Sequence, residues 1–240
     1  NIADNISIAV NISGPSKKEG NITIMKSGYL SHIEHTKNLS VIDILSIKNR
    51  NFTVVVDAVN GAASLALPKM MESLGCKVYS LNCKPDGYLP RGTEPIPDHL
   101  IKLSEIVVQK NADVGFATDP DGDRLAVVDE NGHALGEEYT LTICADGLLK
   151  STGSNLPIVT NLSTTISLDL IAENYGNSVI RTAVGEINVV EQMKECNALL
   201  GGEGNGGIIL AESHYGRDSL VGATLFLNRM AQGSQTVSQI

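Results

Sequence analysis

Residues 116–132 read "FATDPDGDRLAVVDENG". Two short apolar runs, residues 114–117 and 125–128, have the character of buried strands. Between them Asp119, Asp121 and Asp123 stand at alternate positions. Three carboxylates a few ångströms apart repel one another, so their closeness is tolerable only if a cation or a proton offsets it. The donors are hard oxygens with no Cys or His between the aspartates, which points to Mg²⁺, Mn²⁺ or Ca²⁺ rather than zinc. Pro120 stiffens the turn, and Gly122 lets the backbone fold tightly enough for the side chains to converge. A calcium loop of the EF-hand type competes, because Asp119, Asp121, Asp123 and Glu130 match its positions 1, 3, 5 and 12. That loop needs Gly where this chain has Arg124, and it lies between helices, whereas residues 125–128 are apolar and β-branched. The bland reading is a solvated acidic hairpin. It would serve for a single Asp-Gly pair, but poorly for three alternating aspartates followed by Arg124.

Outward from this loop the chain alternates between strand and helix signals. Residues 52–56 are a β-branched run, Asn60-Gly61 a turn, and Leu67, Met70, Met71 and Leu74 one face of a helix stopped by Gly75. Residues 77–81 are the next strand. The stretch "NCKPDGYLPRGTEPIP" (82–97) is too rich in Pro and Gly for regular structure. Asp98 then reads as the N-cap of a helix with Leu100, Leu103, Ile106 and Val107 inward. The order βαβαββ describes one α/β domain closed by the Asn131-Gly132 turn. A second unit repeats the rhythm, with helices over 137–150, 168–174 and 186–194 and strands at 157–161, 178–181, 198–200 and 208–210. The glycine cluster "GGEGNGG" (201–207) reads as a loop, and Asp218 as the cap of a last helix. The expected fold class is therefore α/β, as two consecutive α/β domains with mixed sheets flanked by helices. Their spans are 29–135 and 136–240, the latter ending in a polar linker, "QGSQTVSQI". Residues 1–28 are polar and read as a remnant of a preceding domain or a linker.

Composition narrows the function classes. The chain has 240 residues, 42% hydrophobic and 19% charged, with a formal net charge of -9 and no Lys/Arg cluster, so the footprint of a nucleic-acid binder is missing. No apolar run approaches the roughly 20 residues needed to span a bilayer; the expectation is a cytoplasmic chain with no membrane partner. Cys76, Cys83, Cys144 and Cys196 are too irregularly spaced for a zinc motif or a disulfide framework. Asn-x-Ser/Thr triplets, as at Asn161, are chance occurrences in an Asn-rich chain.

"DPDGDR" after an apolar strand resembles the metal-binding loop of the α-D-phosphohexomutases, the family of phosphoglucomutase, phosphomannomutase and phosphoglucosamine mutase. In order, the chain also carries "VVVDAVNGAA", "KPDGYLPRGTEP", "VVDENGHALGEEY", "TAVG", "GGEGNGGIIL" and "HYGRDSL", each where the second and third domains of that family have their counterparts. The resemblance covers roughly residues 29–236. It implies that Asp119, Asp121 and Asp123 hold one Mg²⁺ that faces a phosphoserine, with Arg124 either contacting phosphoryl oxygens or tethering the loop. It implies sugar contacts from Glu203 and Asn205, with Thr182 and Gly185 in a second sugar-side loop. The substrate would be a hexose phosphate moved between 1- and 6-phosphate through a bisphosphate. "GGEGNGG" with "GRD" resembles the phosphoglucosamine mutase members most, with phosphomannomutase or phosphoglucomutase as the alternative. Arg217 and Asp218 match a short pattern near the end of that domain, Asp218 reading first as a helix cap.

Two departures qualify the match. Some relatives carry His where this chain has Gly207. The family's Ser-His-Asn-Pro phosphoserine loop and its fourth, phosphate-gripping domain do not occur in these 240 residues. The expectation is thus the central part of a longer enzyme, inactive alone, whose partners include the other domains of the same polypeptide. A non-catalytic module that binds metal or sugar phosphate is the competing reading from a different class.

Overall fold

The computed structural model describes residues 27–240; the expectation about residues 1–28 lies almost entirely outside them. Two helices come first, α1 (Gly28–Lys37) and α2 (Ile44–Arg50). Neither has a visible apolar face in sequence, since α1 buries only Ile33 and Thr36 and α2 only Ile47. Asp43 caps α2 by accepting the Ser46 N–H at 3.0 Å.

The first sheet is built from β1 (Thr53–Asp57), β2 (Lys77–Leu81), β3 (Val114–Thr118) and β4 (Leu125–Val128), with α3 (Ala66–Ser73) after β1 and α4 (Ile101–Lys110) after β2. Its order is β2-β1-β3-β4, with β1 parallel to both neighbours and β4 antiparallel to β3. The second half opens on α5 (Glu138–Thr152). It then runs through β5 (Ile158–Asn161), α6 (Ser167–Asn174), β6 (Val179–Thr182), α7 (Glu186–Cys196), β7 (Leu200–Glu203), β8 (Gly207–Leu210) and α8 (Ser219–Ala231). Its sheet order, β6-β5-β7-β8, repeats the first with the same parallel and antiparallel pairings. Both units are mixed α/β sheets flanked by helices, as the alternating signals predict.

The strand period of two explains how the layers form. Val54, Val56, Phe116, Leu125 and Val127 face one core, while Val55, Ala117, Ala126 and Val128 face another that Leu100, Leu103 and Val107 of the α4 segment complete. In the second sheet Ile158, Leu200, Ile208 and Leu210 join the first of these cores, and Val159 and Ile209 pack on Val189, Val190 and Met193 of α7. One core thus runs through both units. At its centre lies α8, buried from Ser219 through Met230, with Phe226 meeting Phe116 edge-on at 5.8 Å.

Three local expectations change. Asp98 does not cap α4; it lies in a 3₁₀ turn, Pro97–His99, and α4 follows Leu100 with no side-chain cap. The glycine cluster is not one loop. Gly201, Gly202 and Glu203 belong to β7 and Gly207 to β8, leaving residues 204–206 as the turn. Glycine lowers strand propensity, but here the lack of a Cβ is what permits close pairing. A Cβ on Gly202 would stand 2.2 Å from the Gly207 carbonyl oxygen. Residues 232–240, expected as a linker, instead return to the body, where Val237 is buried and the Ser238 N–H donates to Glu130 at 3.1 Å.

The C-terminal ends of the parallel strands converge. The turn after β1 touches the aspartate loop after β3 through the Ala62 N–H, which donates to the Pro120 carbonyl at 2.8 Å. Gly61 makes that approach possible, since a Cβ there would lie 2.3 Å from the same oxygen. Gly61→Ala is expected to push the aspartate loop off its seat and to cost more than about 2 kcal/mol of stability, readable in a denaturant melt against wild type; an unchanged midpoint would show that the close approach is not constraining.

Candidate functional site

In open α/β sheets the crevice at the carboxyl ends of the strands, where the strand order reverses, is where ligands gather. Both sheets here place their polar residues at that point: Asp57 and Thr118 end β1 and β3, and Asn161 and Glu203 end β5 and β7. The aspartate loop joins β3 to β4, and the turn at 204–206 joins β7 to β8, so the two hairpins are counterparts. They meet edge to edge, with Arg124 bridged to Gly207 and the Leu125 N–H donating to the Gly206 carbonyl at 3.0 Å.

The loop organises itself around Asp119, which is 2% exposed. Its Oδ1 accepts the backbone N–H of Asp123 at 3.2 Å and of Arg124 at 3.1 Å. Gly122, at φ +79°, turns the chain between them, and its carbonyl accepts the Ser219 hydroxyl of α8 at 2.6 Å. Asp119, Asp121 and Asp123 each bring one oxygen within 4.8 Å of the others. Burial is the main cause that pushes the Asp119 carboxyl up to about 7; the Arg124 N–H opposes it, and the charges of Asp123 and Asp121 add to it. Asp123 Oδ1 is buried with no hydrogen-bond partner. Oxygen-only donors, mutual repulsion and an orphaned carboxylate oxygen fit a hard divalent cation such as Mg²⁺. A zinc-type site, which takes nitrogen or sulfur donors, does not match this loop.

Arg124 pairs with Glu94 and lies 3.1 Å from Asp119 Oδ2. Burial works against its charge, but Glu94, Asp119 and Asp123 outweigh it and raise its pKa. Its guanidinium therefore tethers the loop to the segment "PRGTEP". Arg91, in the same segment, forms a buried pair with Asp57 at 3.1 Å and donates to the Thr118 carbonyl at 2.6 Å. The long irregular stretch is thereby fastened to the ends of β1 and β3.

On the other hairpin, Glu203 is 4% exposed. Its Oε1 accepts from the Asn161 amide at 2.8 Å and from the Gly185 N–H at 3.3 Å. Gly185 and Glu203 thus come together, at a backbone φ of +124° for Gly185 that side chains rarely adopt. Asn205 stays local, its Oδ1 accepting the Gly207 N–H at 3.2 Å. Thr182 ends β6, and its hydroxyl donates to the Ala183 carbonyl at 2.9 Å, so it faces its own turn rather than Glu203.

Arg217 connects the hairpins. Its guanidinium lies 2.5 Å from Asp123 Oδ2, 3.1 Å from Glu186 Oε2 and 3.3 Å from Glu203 Oε2. Gly207 makes room for it, because a Cβ there would fall 2.3 Å from Arg217 Cδ. Neither this bridging role nor Glu186 was visible in the sequence; an arginine in "HYGRDSL" carries no sign of three carboxylates from distant segments. Asn161, which reads as a chance glycosylation triplet, is 2% exposed and orients Glu203.

Comparisons with known proteins bear on the family and the fold. The family description "Phosphoglucomutase/phosphomannomutase, alpha/beta/alpha domain II" matches residues 27–132, and the corresponding domain III matches residues 136–240. A protein of Thermococcus kodakarensis named "Phosphoglucomutase/phosphomannomutase" is 40% identical over 210 residues, covering 87% of this chain and 45% of the relative. A Pyrococcus horikoshii protein named "Probable phosphoglucosamine mutase" is 37% identical over 177 residues, covering 74% of this chain and 39% of its own length. The chain therefore spans less than half the length of these relatives. A crystal structure of a phosphoglucomutase/phosphomannomutase family protein from Burkholderia thailandensis superposes with a TM-score of 0.76 at 25% identity, over 86% of this chain and 44% of that one. An Aspergillus fumigatus N-acetylphosphoglucosamine mutase, solved with GlcNAc-6P and magnesium, shares the fold with a TM-score of 0.61 at 15% identity, over 86% of this chain and 52% of that one.

Two outcomes follow from the charge arrangement. Removing the guanidinium in Arg217→Ala takes the cationic partner from buried Glu203 and half-buried Asp123 and should cost about 3 kcal/mol, part of which excess Mg²⁺ restores; a melt insensitive to both changes would contradict the bridge. Asp119 binds its proton more tightly folded than unfolded, where it titrates near about 4. Its contribution to stability is then fully present below that pH and lost as pH rises towards about 7. In chelator, the stability difference between wild type and Asp119→Asn should shift against wild type across that window, and magnesium should flatten the shift; parallel curves would refute it.

Proposed function

The chain belongs to the phosphoglucomutase/phosphomannomutase family, and on that premise we propose that it forms the metal-binding and sugar-binding part of a phosphohexomutase. The observation that carries the reading is the meeting of the three-aspartate loop and the Glu203 hairpin, tied by Arg217. In this reading residues 29–135 act as the metal-binding domain and 136–240 as the sugar-binding domain.

Asp119, Asp121 and Asp123 would hold Mg²⁺, which supplies charge neutralisation and electrophilic activation to a phosphoryl group in transit. Arg124 keeps the loop in register through Glu94 and Asp119. Glu203, held by Asn161 and the Gly185 N–H, presents a fixed carboxylate to accept hydrogen bonds from sugar hydroxyls. Asn205 and Thr182 would complete the sugar contacts, each exchanging a bond within its own turn for one to the ligand. Arg217 has donors facing both hairpins and would turn them towards phosphoryl oxygens as a ligand enters. A mutase must hold a hexose in two opposite orientations. A carboxylate, an amide and a guanidinium around a glycine-flanked turn suit that, since all three recognise hydroxyl or phosphoryl oxygens without fixing which end of the sugar is presented.

The phosphoserine loop and the last phosphate clamp would come from other parts of a longer polypeptide. Among substrates, glucosamine phosphate is favoured over mannose or glucose phosphate. Support comes from the pattern "GGEGNGG" with "GRD" and from the name of the Pyrococcus relative.

Calorimetric titration of the chelator-treated chain should give one Mg²⁺ per molecule, lost in Asp121→Asn and Asp123→Asn, with no turnover of glucosamine 6-phosphate by the chain itself. Measurable turnover, or metal binding indifferent to both substitutions, would overturn the reading.

A further inference from the structure

Beside the aspartate loop, a second set of donors of different chemistry meets across the two halves of the chain. His32 lies on α1, whereas His214 and Asp218 precede α8. His32 Nε2 is 2.7 Å from Asp218 Oδ2, and His214 Nε2 is 2.9 Å from the same oxygen. One atom from each residue lies within 4.8 Å of the other two. Asp218 is held firmly, because its Oδ1 caps α8 by accepting the N–H groups of Leu220 and Val221 at 2.9 and 3.1 Å. That leaves Oδ2 aimed at the two rings. The carboxylate is 9% exposed, but the imidazoles are 34% and 46% exposed, so one side of the cluster is open to water. It borders a cavity of about 270 Å³ that Asp121, Asp123 and Arg217 also line.

We propose that His32, His214 and Asp218 form a second metal site, for a borderline divalent ion of the zinc class, joining the two halves of the chain. Two imidazole nitrogens and one carboxylate oxygen are a donor set that zinc, cobalt, nickel and copper accept and that magnesium and calcium disfavour. Three protein ligands with positions left for water is a common arrangement for such ions. The present contacts require little change. Both rings already lie within hydrogen-bond distance of one oxygen, and opening each contact by about half an ångström, with the ring proton carried on Nδ1, makes room for an ion at bonding distance of about 2.0–2.1 Å from each donor. The two rings are tilted 53° to one another with centroids 6.0 Å apart, so neither covers the other's nitrogen.

The site differs from the aspartate loop in hardness, so the two are separable with both metals present. An ion there would also pin α1 to α8 next to Arg217, the residue that links Asp123 to Glu203.

The test is titration of the untagged, chelator-treated chain with Co²⁺ and Zn²⁺ in excess Mg²⁺. The proposal expects one Co²⁺ per chain with visible absorption typical of nitrogen ligation, displaced by Zn²⁺, and a higher melting temperature on binding. His32→Gln and His214→Gln, both on part-exposed rings and verified by a cooperative melt, should each weaken binding by more than the roughly 10–100-fold that loss of an outer-shell partner costs. Asp121→Asn should leave it unchanged. Absence of the cobalt spectrum, binding abolished by Asp121→Asn, or binding retained in both His variants would each overturn the proposal.

Discussion

Negative charge gathered at the mouths of two sheets is the constraint on which the rest of the arrangement depends. Asp119, Asp121 and Asp123 on one hairpin, Glu203 on the other and Glu186 at the start of α7 crowd around two guanidiniums, Arg124 and Arg217, with Glu94 closing the far side. Two positive charges do not balance six carboxyl groups. Asp119 answers with a pKa raised by burial and by its neighbours, and Asp123 keeps a buried oxygen with no partner. A site in this condition is poised for a cation, and the ordering of its protein ligands is already paid for by β3, β4 and the Asp119 turn.

The geometry that brings the charges together begins with backbone contact between the hairpins. Two copies of one sheet topology place equivalent hairpins at equivalent positions, and the hairpins touch through the Leu125 N–H and the Gly206 carbonyl. The shared helix α8 locks this meeting from behind. Asp218 caps it, Ser219 bonds the aspartate loop, and Phe226 packs on Phe116 of the first sheet. Fold and site are therefore one construction, in which the helix that completes the second unit also fixes the loop of the first.

Much of this was legible from residue patterns. The β-branched run at 52–56, the apolar run at 114–117, the Met-rich face of α3 and the aspartate spacing carry their own physics, and the resemblance drawn from seven short motifs agrees with the family the chain belongs to. What escaped has physical causes. The helices α1 and α2 gain their place by tertiary packing of one or two buried residues each, which leaves no periodic signal. Glycines 201, 202 and 207 read as loop because propensity outweighs pattern in a short window, yet the structure needs them in strands to let chains approach. Arg217 and Asn161 act across 94 and 42 residues of sequence respectively, to Asp123 and Glu203, and no local motif encodes such a partnership.

The central claim is that the aspartate loop is held close by a divalent cation and that Arg217 stands in for part of that charge otherwise. The direct measurement is an anomalous diffraction map of the chain crystallised with Mn²⁺ in place of Mg²⁺. The account predicts one peak bonded to oxygens of Asp119, Asp121 and Asp123, with the Arg217 guanidinium drawn back from Asp123. A map with no peak there, the carboxylates apart and the arginine bridge intact, would contradict it.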